Sequence, residues 1–340
     1  MNSFIKSKKP IITISGATGT GKTSSSIHLA LELKQQKQIE CEIINFDSIQ
    51  FFKELDIASA KPSQEELSQV PHHLVGIKTI QEEMNASEFS LKAKEIVNRL
   101  HQENKVPILV GGSGFYLRAF VKGMFESTNV SEKTRALVEE LLEKEGSNGI
   151  RLRLQEVDPE SFEKLHHNDN YRNCRALEHW IETGSKFSEK SKKIQDPYDF
   201  SKQENPEYHF LHFYALIPKE DHFPILMKRT QNFFKDHKIL SEVDSLLESG
   251  ADGSEKAMQS IGYKEVVEFF KENGRPHEAE YKKQLIEQLT ERIFISTRQL
   301  VKAQKTFFKK VHPKVDYNPV SELDKLTEYS NQFLEKLQEQ

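Results

Sequence analysis

The sequence predicts an α/β fold: a parallel sheet flanked by helices, with an inserted all-helical subdomain and a helical C-terminal region. Two observations predict it. Short β-branched apolar runs alternate with helix-period segments over residues 1–125, the pattern of parallel strands joined by crossover helices. The strand signal then vanishes from about Glu126 to Lys190 and returns at His209. The domain boundaries read from this are 1–125 with 188–340 for the core and 126–187 for the insertion.

The first strand is Ile11-Ile12-Thr13-Ile14, bounded by Pro10 and a glycine-rich segment. Thr23 to Lys37 lacks Gly and Pro and places Ile27, Ala30 and Leu31 at helical spacing. Ile43 to Phe46 is a second strand, ending at Asp47. Phe89, Ala93, Ile96, Val97 and Leu100 share one helical face, and Val106 to Val110 follows as a third strand closed by Gly111-Gly112. In the insertion, Ser131 to Glu145 is helical with Leu137, Val138, Leu141 and Leu142 on one side. Asp158-Pro159 opens another helix, and Asn170 to Thr183 forms one that Gly184 stops. Trp180 reads as a core anchor of this subdomain. Ser188 to Pro206 reads as loop, His209 to Ile217 as a strand, and the remainder as helix. His277 to His312 lacks Gly and Pro and predicts one long helix; Ser321 to Gln340 predicts a last, polar one.

Composition narrows the function. The chain is 29% charged and 36% hydrophobic with a net charge of −4, which excludes intrinsic disorder. No apolar run approaches the ~18 residues of a membrane span, and no secretory leader precedes Pro10. Cys41 and Cys174 alone build neither a disulfide framework nor a zinc site, so a reducing, cytoplasmic location is expected. Mild acidity argues against a nucleic-acid partner, but the charge is partitioned. Arg292, Arg298, Lys302, Lys305, Lys309, Lys310 and Lys314 fall in a stretch from Arg292 to Val315 with no Asp or Glu, while the rest of the chain carries 41 basic and 52 acidic residues. Arg298, Lys302, Lys305 and Lys309 form one helical stripe. It reads either as a solvated face or as a phosphate-binding edge for RNA. Phe294, Phe307 and Phe308 interleave with it, for base stacking or for core packing.

Gly16-Ala17-Thr18-Gly19-Thr20-Gly21-Lys22-Thr23 matches G-x-x-x-x-G-K-[ST] between a strand and a helix. Its glycines let successive N–H groups turn toward one anion, and the helix adds its positive end. This makes the fold P-loop NTPase-like. It assigns Gly16 to Thr23 to phosphate binding, Lys22 to the terminal phosphate and Thr23 to Mg²⁺. The usual occupant of such a loop is ATP. Asp47, at the carboxyl end of the second strand, faces the ligand crevice of such a sheet. It reads as a general base or Mg²⁺ neighbour, or as a turn cap. His72-His73 reads as structural or as part of the site wall.

Beyond the loop, several segments resemble the tRNA dimethylallyltransferase family in family order from Ile11 to about Lys310. They are Phe46 to Gln50, Leu55 to Pro62, Val70 to Leu74, Val110 to Ala119, Asn168 to Glu178, Ile261 to Glu265 and Thr297 to Gln304. The resemblance implies transfer of the dimethylallyl group of dimethylallyl diphosphate to N6 of adenosine 37 in tRNA, beside the anticodon. The loop then holds the diphosphate leaving group, with Mg²⁺ as cofactor and Arg229 as a further phosphate ligand. Asp47 is implied as the base at N6, with Lys22 and Thr23 in the catalytic set. Ser48, Ile49, Gln50, Ser113, Arg135, Tyr171, Arg172, Asn173, Cys174, Arg175, Gly262, Tyr263, Arg298, Lys302, Lys305 and Lys309 are implied as tRNA contacts. The implied partner is the anticodon stem-loop of tRNA, clamped by insertion and core, with the enzyme a monomer.

The chain departs from the family pattern at Phe52 (commonly Tyr), Ala58-Ser59 (Gly-Thr), Ser113 (Thr), Phe233 (often Arg), Ala303 (Arg) and Phe307 (Trp). No zinc-finger extension follows the core, so the resemblance is to the bacterial type. The alternatives are an isopentenyltransferase acting on free adenine nucleotides, a small-molecule or nucleoside kinase, and an RNA-binding P-loop protein without transfer activity. The basic stripe and Tyr171–Arg175 speak against the first, because a small acceptor needs neither.

Overall fold

The computed structural model describes residues 3–123, 130–191, 196–276 and 281–340. The chain divides into two compact units, residues 1–123 with 198–340 and residues 124–197. The first unit begins with α1 (Ser3–Lys8), β1 (Pro10–Gly16), α2 (Lys22–Lys37), β2 (Cys41–Asn45), α3 (Gln64–Gln69) and β3 (His72–His73). It continues through α4 (Ala86–Gln102), β4 (Val106–Gly111) and α5 (Gly114–Lys122). The second unit holds α6 (Glu132–Val157), α7 (Pro159–Lys164), α8 (Asn170–Thr183) and α9 (Phe187–Ser191). The first unit resumes with β5 (His209–Ala215), α10 (Lys219–Phe233), α11 (Lys238–Glu248) and α12 (Tyr263–Asn273), then α13 (Lys283–Lys310), β6 (Val315–Tyr317) and α14 (Leu323–Glu339).

Among the described residues one sheet forms, in the order β3-β2-β4-β1-β5-β6, with every pairing parallel. Side chains alternate across it. Ile12, Ile14, Ile43 and Ile108 pack with α1, α2 and α14 on one face. Ile11, Ile44 and Leu109 pack with Phe89, Leu117 and Phe308 of α4, α5 and α13 on the other. A third apolar cluster joins α11, α12 and the first half of α13 to Phe52 and Leu55. It supports the chain segment after β2 that becomes one wall of the site.

Some details differ from the sequence reading. β3 and β6 are two and three residues long, too short to show a period. Leu31 is exposed, and α2 instead buries Ile27, Leu29, Ala30 and Leu33. The start of the predicted long helix, residues 277–280, lies outside the described residues; the helix runs from Lys283. A short helix, α9, falls where loop is predicted.

In the second unit Gly146, at φ 66°, breaks α6 into two segments. Its core is aliphatic, built on Val138, Ile150 and Leu177. Leu137 is exposed and Trp180 only half-buried, so neither anchors that core. Asp158 is fully buried and fully used, accepting hydrogen bonds from Ser161 and Ser188 through both backbone N–H and hydroxyl groups. These bonds hold its carboxyl below the usual range against the opposing effect of burial.

Gly111 ends β4 against Phe46. A Cβ there would sit 2.6 Å from the Phe46 ring and 2.7 Å from its carbonyl carbon. Backbone cannot give way cheaply, so Gly111→Ala should destabilise the protein by about 1–3 kcal/mol. A urea titration should show a lower midpoint with an unchanged slope.

Candidate active site and nucleic-acid interface

The phosphate loop joins β1 to α2 at the carboxyl edge of the sheet. Gly19 and Gly21 adopt φ of 75° and 77°, which side chains with a Cβ rarely tolerate. Gly16 lies so close to Ala215 of β5 that a Cβ would come within 2.9 Å of it. Ala17 and Thr20 point inward: Ala17 packs on Leu226 and Val301, and Thr20 Oγ1 donates to the Ala17 carbonyl at 2.9 Å. Thr18, Gly19, Gly21, Lys22 and Thr23 line a cleft of about 290 Å³. The loop residues thus divide between those that shape the loop and those that face the cleft.

Asp47, Gln50, Lys61, His72 and Arg229 line the same cleft. Asp47 stands just past β2 in a braced turn. Its N–H donates to Asn45 Oδ1 at 2.9 Å and its Oδ1 accepts the Ile49 N–H at 3.1 Å. Buried Asn45 also donates to the carbonyls of Asp47 and Leu74. The turn-cap and site readings of Asp47 are therefore both realised, since the carboxylate caps its turn and still faces the cleft.

Lys22 Nζ donates to the Ala17 carbonyl at 2.8 Å. Its ammonium is lowered to about 8: lost hydration drives it down, Asp47 opposes this, and the Arg229 guanidinium adds to it. Arg229 donates to the Ala58 carbonyl at 3.1 Å and lies over the Phe233 ring at 5.7 Å. Burial lowers its pKa, with Asp47 acting the other way. Two cations and one carboxylate thus meet in one half-buried cleft, an arrangement that favours an added anion.

The wall made by residues 55–62 is held from behind. Glu242 accepts the N–H groups of Asp56 and Ile57 and the hydroxyl of Tyr263. Burial raises the Glu242 carboxyl, and these bonds oppose that shift. Gln50 donates to the carbonyls of Ser59 and Ala60. Tyr263 is fully buried, so it cannot touch an RNA and instead supports this wall; Gly262 packs within 2.6 Å of Ala58 at the position a Cβ would take. Phe52 and Phe233 are buried in the same apolar cluster.

Ser113 precedes α5 but does not cap it with its side chain. Its Oγ accepts the Ser48 N–H at 3.1 Å and donates to Ser48 Oγ at 3.2 Å, tying the exit of β4 to the turn after β2. Ile49 is half-buried against the third cluster. His73 pairs with Glu42 at 2.6 Å and is structural. His72 reaches the cleft, and burial lowers its pKa.

Of the basic stripe, Arg298, Lys302 and Lys309 are exposed on α13. Arg298 lies over Phe223 at 4.7 Å. Lys305 turns inward and donates to the Ile217 carbonyl at 3.2 Å, and Arg292 is paired with Glu268 and Glu272. Phe294 and Phe308 are core residues. Phe307 instead forms, with Tyr198, the floor of an open groove of about 460 Å³ that Lys302 and Lys310 border. In the second unit, Arg135 and Arg172 are exposed and Tyr171 is 76% exposed. Asn173 is buried and bonds the His166 and Asp169 carbonyls, Cys174 faces the aliphatic core, and Arg175 is paired with Glu178 at 2.6 Å. The predicted Tyr171–Arg175 contact stretch therefore presents only part of itself to solvent.

Two residues of this site carry no assignment from the sequence. Gln304 bonds the Thr18 N–H and the Gly112 carbonyl, and His222 bonds the Thr18 carbonyl. Gln304 closes the family-like segment Thr297 to Gln304, but its role, like that of His222, depends on partners distant in the chain.

A parallel sheet bearing a phosphate loop and, across one intervening strand, a carboxylate in the same cleft defines an α/β enzyme of phosphate esters. The chain belongs to the IPP transferase family, whose profile matches residues 50–311. It is 34% identical over 303 residues to the tRNA dimethylallyltransferase of Chlamydia caviae, covering 89% of this chain and 83% of that protein. Its fold matches the tRNA delta(2)-isopentenylpyrophosphate transferase of Staphylococcus epidermidis with a TM-score of 0.63 at 28% identity, covering 96% and 99% of the two chains. It also matches a eukaryotic dimethylallyltransferase acting on tRNA with a TM-score of 0.73 at 25% identity, covering 96% and 80%.

Proposed function

We propose that this protein transfers the dimethylallyl group of dimethylallyl diphosphate to N6 of adenosine 37 in tRNA, giving N6-(dimethylallyl)adenosine. The observation that carries this reading is the shared cleft of Lys22, Arg229 and Asp47 in a member of the IPP transferase family. In the reaction, N6 attacks the allylic carbon and the C–O bond to diphosphate breaks with its electron pair on oxygen. The N6 proton passes to the Asp47 carboxylate. Lys22, Arg229 and the loop N–H groups meet the charge that develops on the leaving diphosphate, where preorganised donors stabilise a transition state most.

Mg²⁺ fits this cleft on donor chemistry. Among the described residues no three His, Cys, Asp or Glu side chains cluster as a cage, and Mg²⁺ characteristically needs only one or two protein oxygens beside substrate phosphates. Thr23 and Asp47 supply such oxygens at the cleft. Bound there, the ion would neutralise diphosphate charge.

The acceptor is the anticodon stem-loop, whose unpaired bases reach a pocket without the melting of a duplex. Exposed Arg298, Lys302, Lys309, Arg135 and Arg172 are its phosphate contacts in this reading. We place the enzyme in the cytoplasm as a monomer. Cys41 and Cys174 are both free thiols, and one chain supplies the whole cleft. Among the described residues, no helix is long and apolar enough to cross a membrane.

The reading is tested by incubating the protein with Mg²⁺, labelled dimethylallyl diphosphate and unmodified tRNA bearing A37. Label should enter the RNA, and its failure to enter any such tRNA would reject the reading. Arg172→Glu should weaken tRNA binding several-fold at low salt, less at high salt, and leave diphosphate affinity unchanged. Equal tRNA affinity by filter binding would remove Arg172 from the interface.

A further inference from the structure

One residue of the phosphate loop, Thr18, is held at both its N–H and its carbonyl by side chains that the chemistry above does not use. Gln304 of α13 accepts the Thr18 N–H at 2.9 Å through Oε1 and donates from Nε2 to the Gly112 carbonyl at 3.1 Å. His222 of α10 bonds the Thr18 carbonyl through Nε2 at 2.9 Å. The acceptor is a carbonyl, so that nitrogen carries the proton. Gln304 therefore joins the loop after β1 to the loop after β4 with a single planar amide that donates at one end and accepts at the other.

The fit around that amide is close. A Cβ at Gly112 would lie 2.5 Å from Gln304 Nε2 and 3.2 Å from the Gly16 carbonyl oxygen. Gly112 thus leaves the space in which the bridge sits. The same helix carries exposed Lys302 and Lys309 on its outer side, and Val301 and Phe308 bury its inner side in the core. The outer surface of α13 and the phosphate loop are consequently two ends of one packed, hydrogen-bonded unit.

We propose that Gln304 is a positioning residue that couples RNA binding on α13 to diphosphate binding in the loop. RNA seated on the outer face of α13 restrains the helix, and the Gln304 bridge passes that restraint to Thr18. The ordering that diphosphate would otherwise impose on the loop is then already made, so the two substrates bind with positive cooperativity. By linkage, diphosphate tightens RNA by the same factor. The proposal rests on the reading of the chain as a tRNA dimethylallyltransferase.

The test measures the affinity of inorganic diphosphate with Mg²⁺ by calorimetry, with and without saturating unmodified anticodon stem-loop. The wild-type protein should gain about fivefold or more in diphosphate affinity when RNA is present, within the usual range of allosteric coupling. Gln304→Met keeps the side-chain length and removes both bonds, and the gain should fall below twofold. Gly112→Ala displaces the amide from the other side and should have the same effect, which guards against a folding defect in either variant. Lys302→Ala should need more RNA to saturate and keep the wild-type gain. Hydrogen exchange in the loop should slow on RNA binding in the wild-type protein and not in Gln304→Met. An equal gain in wild-type and Gln304→Met proteins, or none in the wild-type, overturns the coupling. Transfer of labelled dimethylallyl by the same wild-type preparation separates that failure from failure of the functional reading, which shows as no transfer at all.

Discussion

Asp47→Asn should lower the single-turnover rate of dimethylallyl transfer by about 10²- to 10⁴-fold, the usual contribution of a positioned base. The substitution is nearly isosteric. Its side-chain oxygen can still take the Ile49 N–H that Asp47 Oδ1 takes at 3.1 Å, and Asn45 still holds the turn through the Asp47 main chain. What is lost is a group able to take the N6 proton. Affinity for tRNA should stay within a few-fold of wild type. Without Mg²⁺, diphosphate affinity at pH 7 should hold or rise, because a carboxylate has been removed beside the anion. Above pH 8 the variant should behave differently, since Asp47 supports the charge on Lys22. A variant retaining a tenth of the wild-type rate at pH 7 would show that Asp47 is not the base.

Lys22→Met should lower transfer by about 10²- to 10³-fold, as removal of one preorganised donor to a developing oxyanion does. It also carries a pH signature. In the free protein the Lys22 ammonium titrates near 8, and a bound anion raises that value by favouring the charged form. Diphosphate affinity should therefore be flat with respect to Lys22 below pH 8. Above it, affinity falls by up to tenfold per pH unit until the bound-state value is reached. The Lys22→Met profile retains the titration of diphosphate itself and lacks this limb, so the ratio of the two profiles isolates Lys22. Parallel profiles would place the titrating group elsewhere.

The contrast between what the sequence reveals and what it hides follows chain separation. The phosphate loop is a contiguous motif, and its strand-loop-helix setting is visible in Ile11 to Lys37. Asp47 is legible because strand ends in a parallel sheet converge on one edge. The alternating faces of β1, β2 and β4 follow from apolar β-branched runs. Gln304 and His222 are not legible in this way, because they meet Thr18 across 286 and 204 residues. Orientation is also hidden within a motif. Tyr263, Asn173 and Lys305 are expected tRNA contacts, yet their side chains serve the interior. The wall segment 55–62 depends on Glu242, which belongs to a helix with no motif of its own.

The strand order has a consequence for synthesis. β1 is made first among the strands and lies between β4 and β5. Until residues 209–215 leave the ribosome, the edge of β1 that pairs with β5 has no neighbour to take its N–H and C=O groups. A chain terminated within the second unit would expose Ile11, Ile12 and Ile14 along a bare sheet edge, the kind of surface that recruits other strands. Such products should be caught by chaperones and proteases. The cleft gains its second cation only once Arg229 has been made.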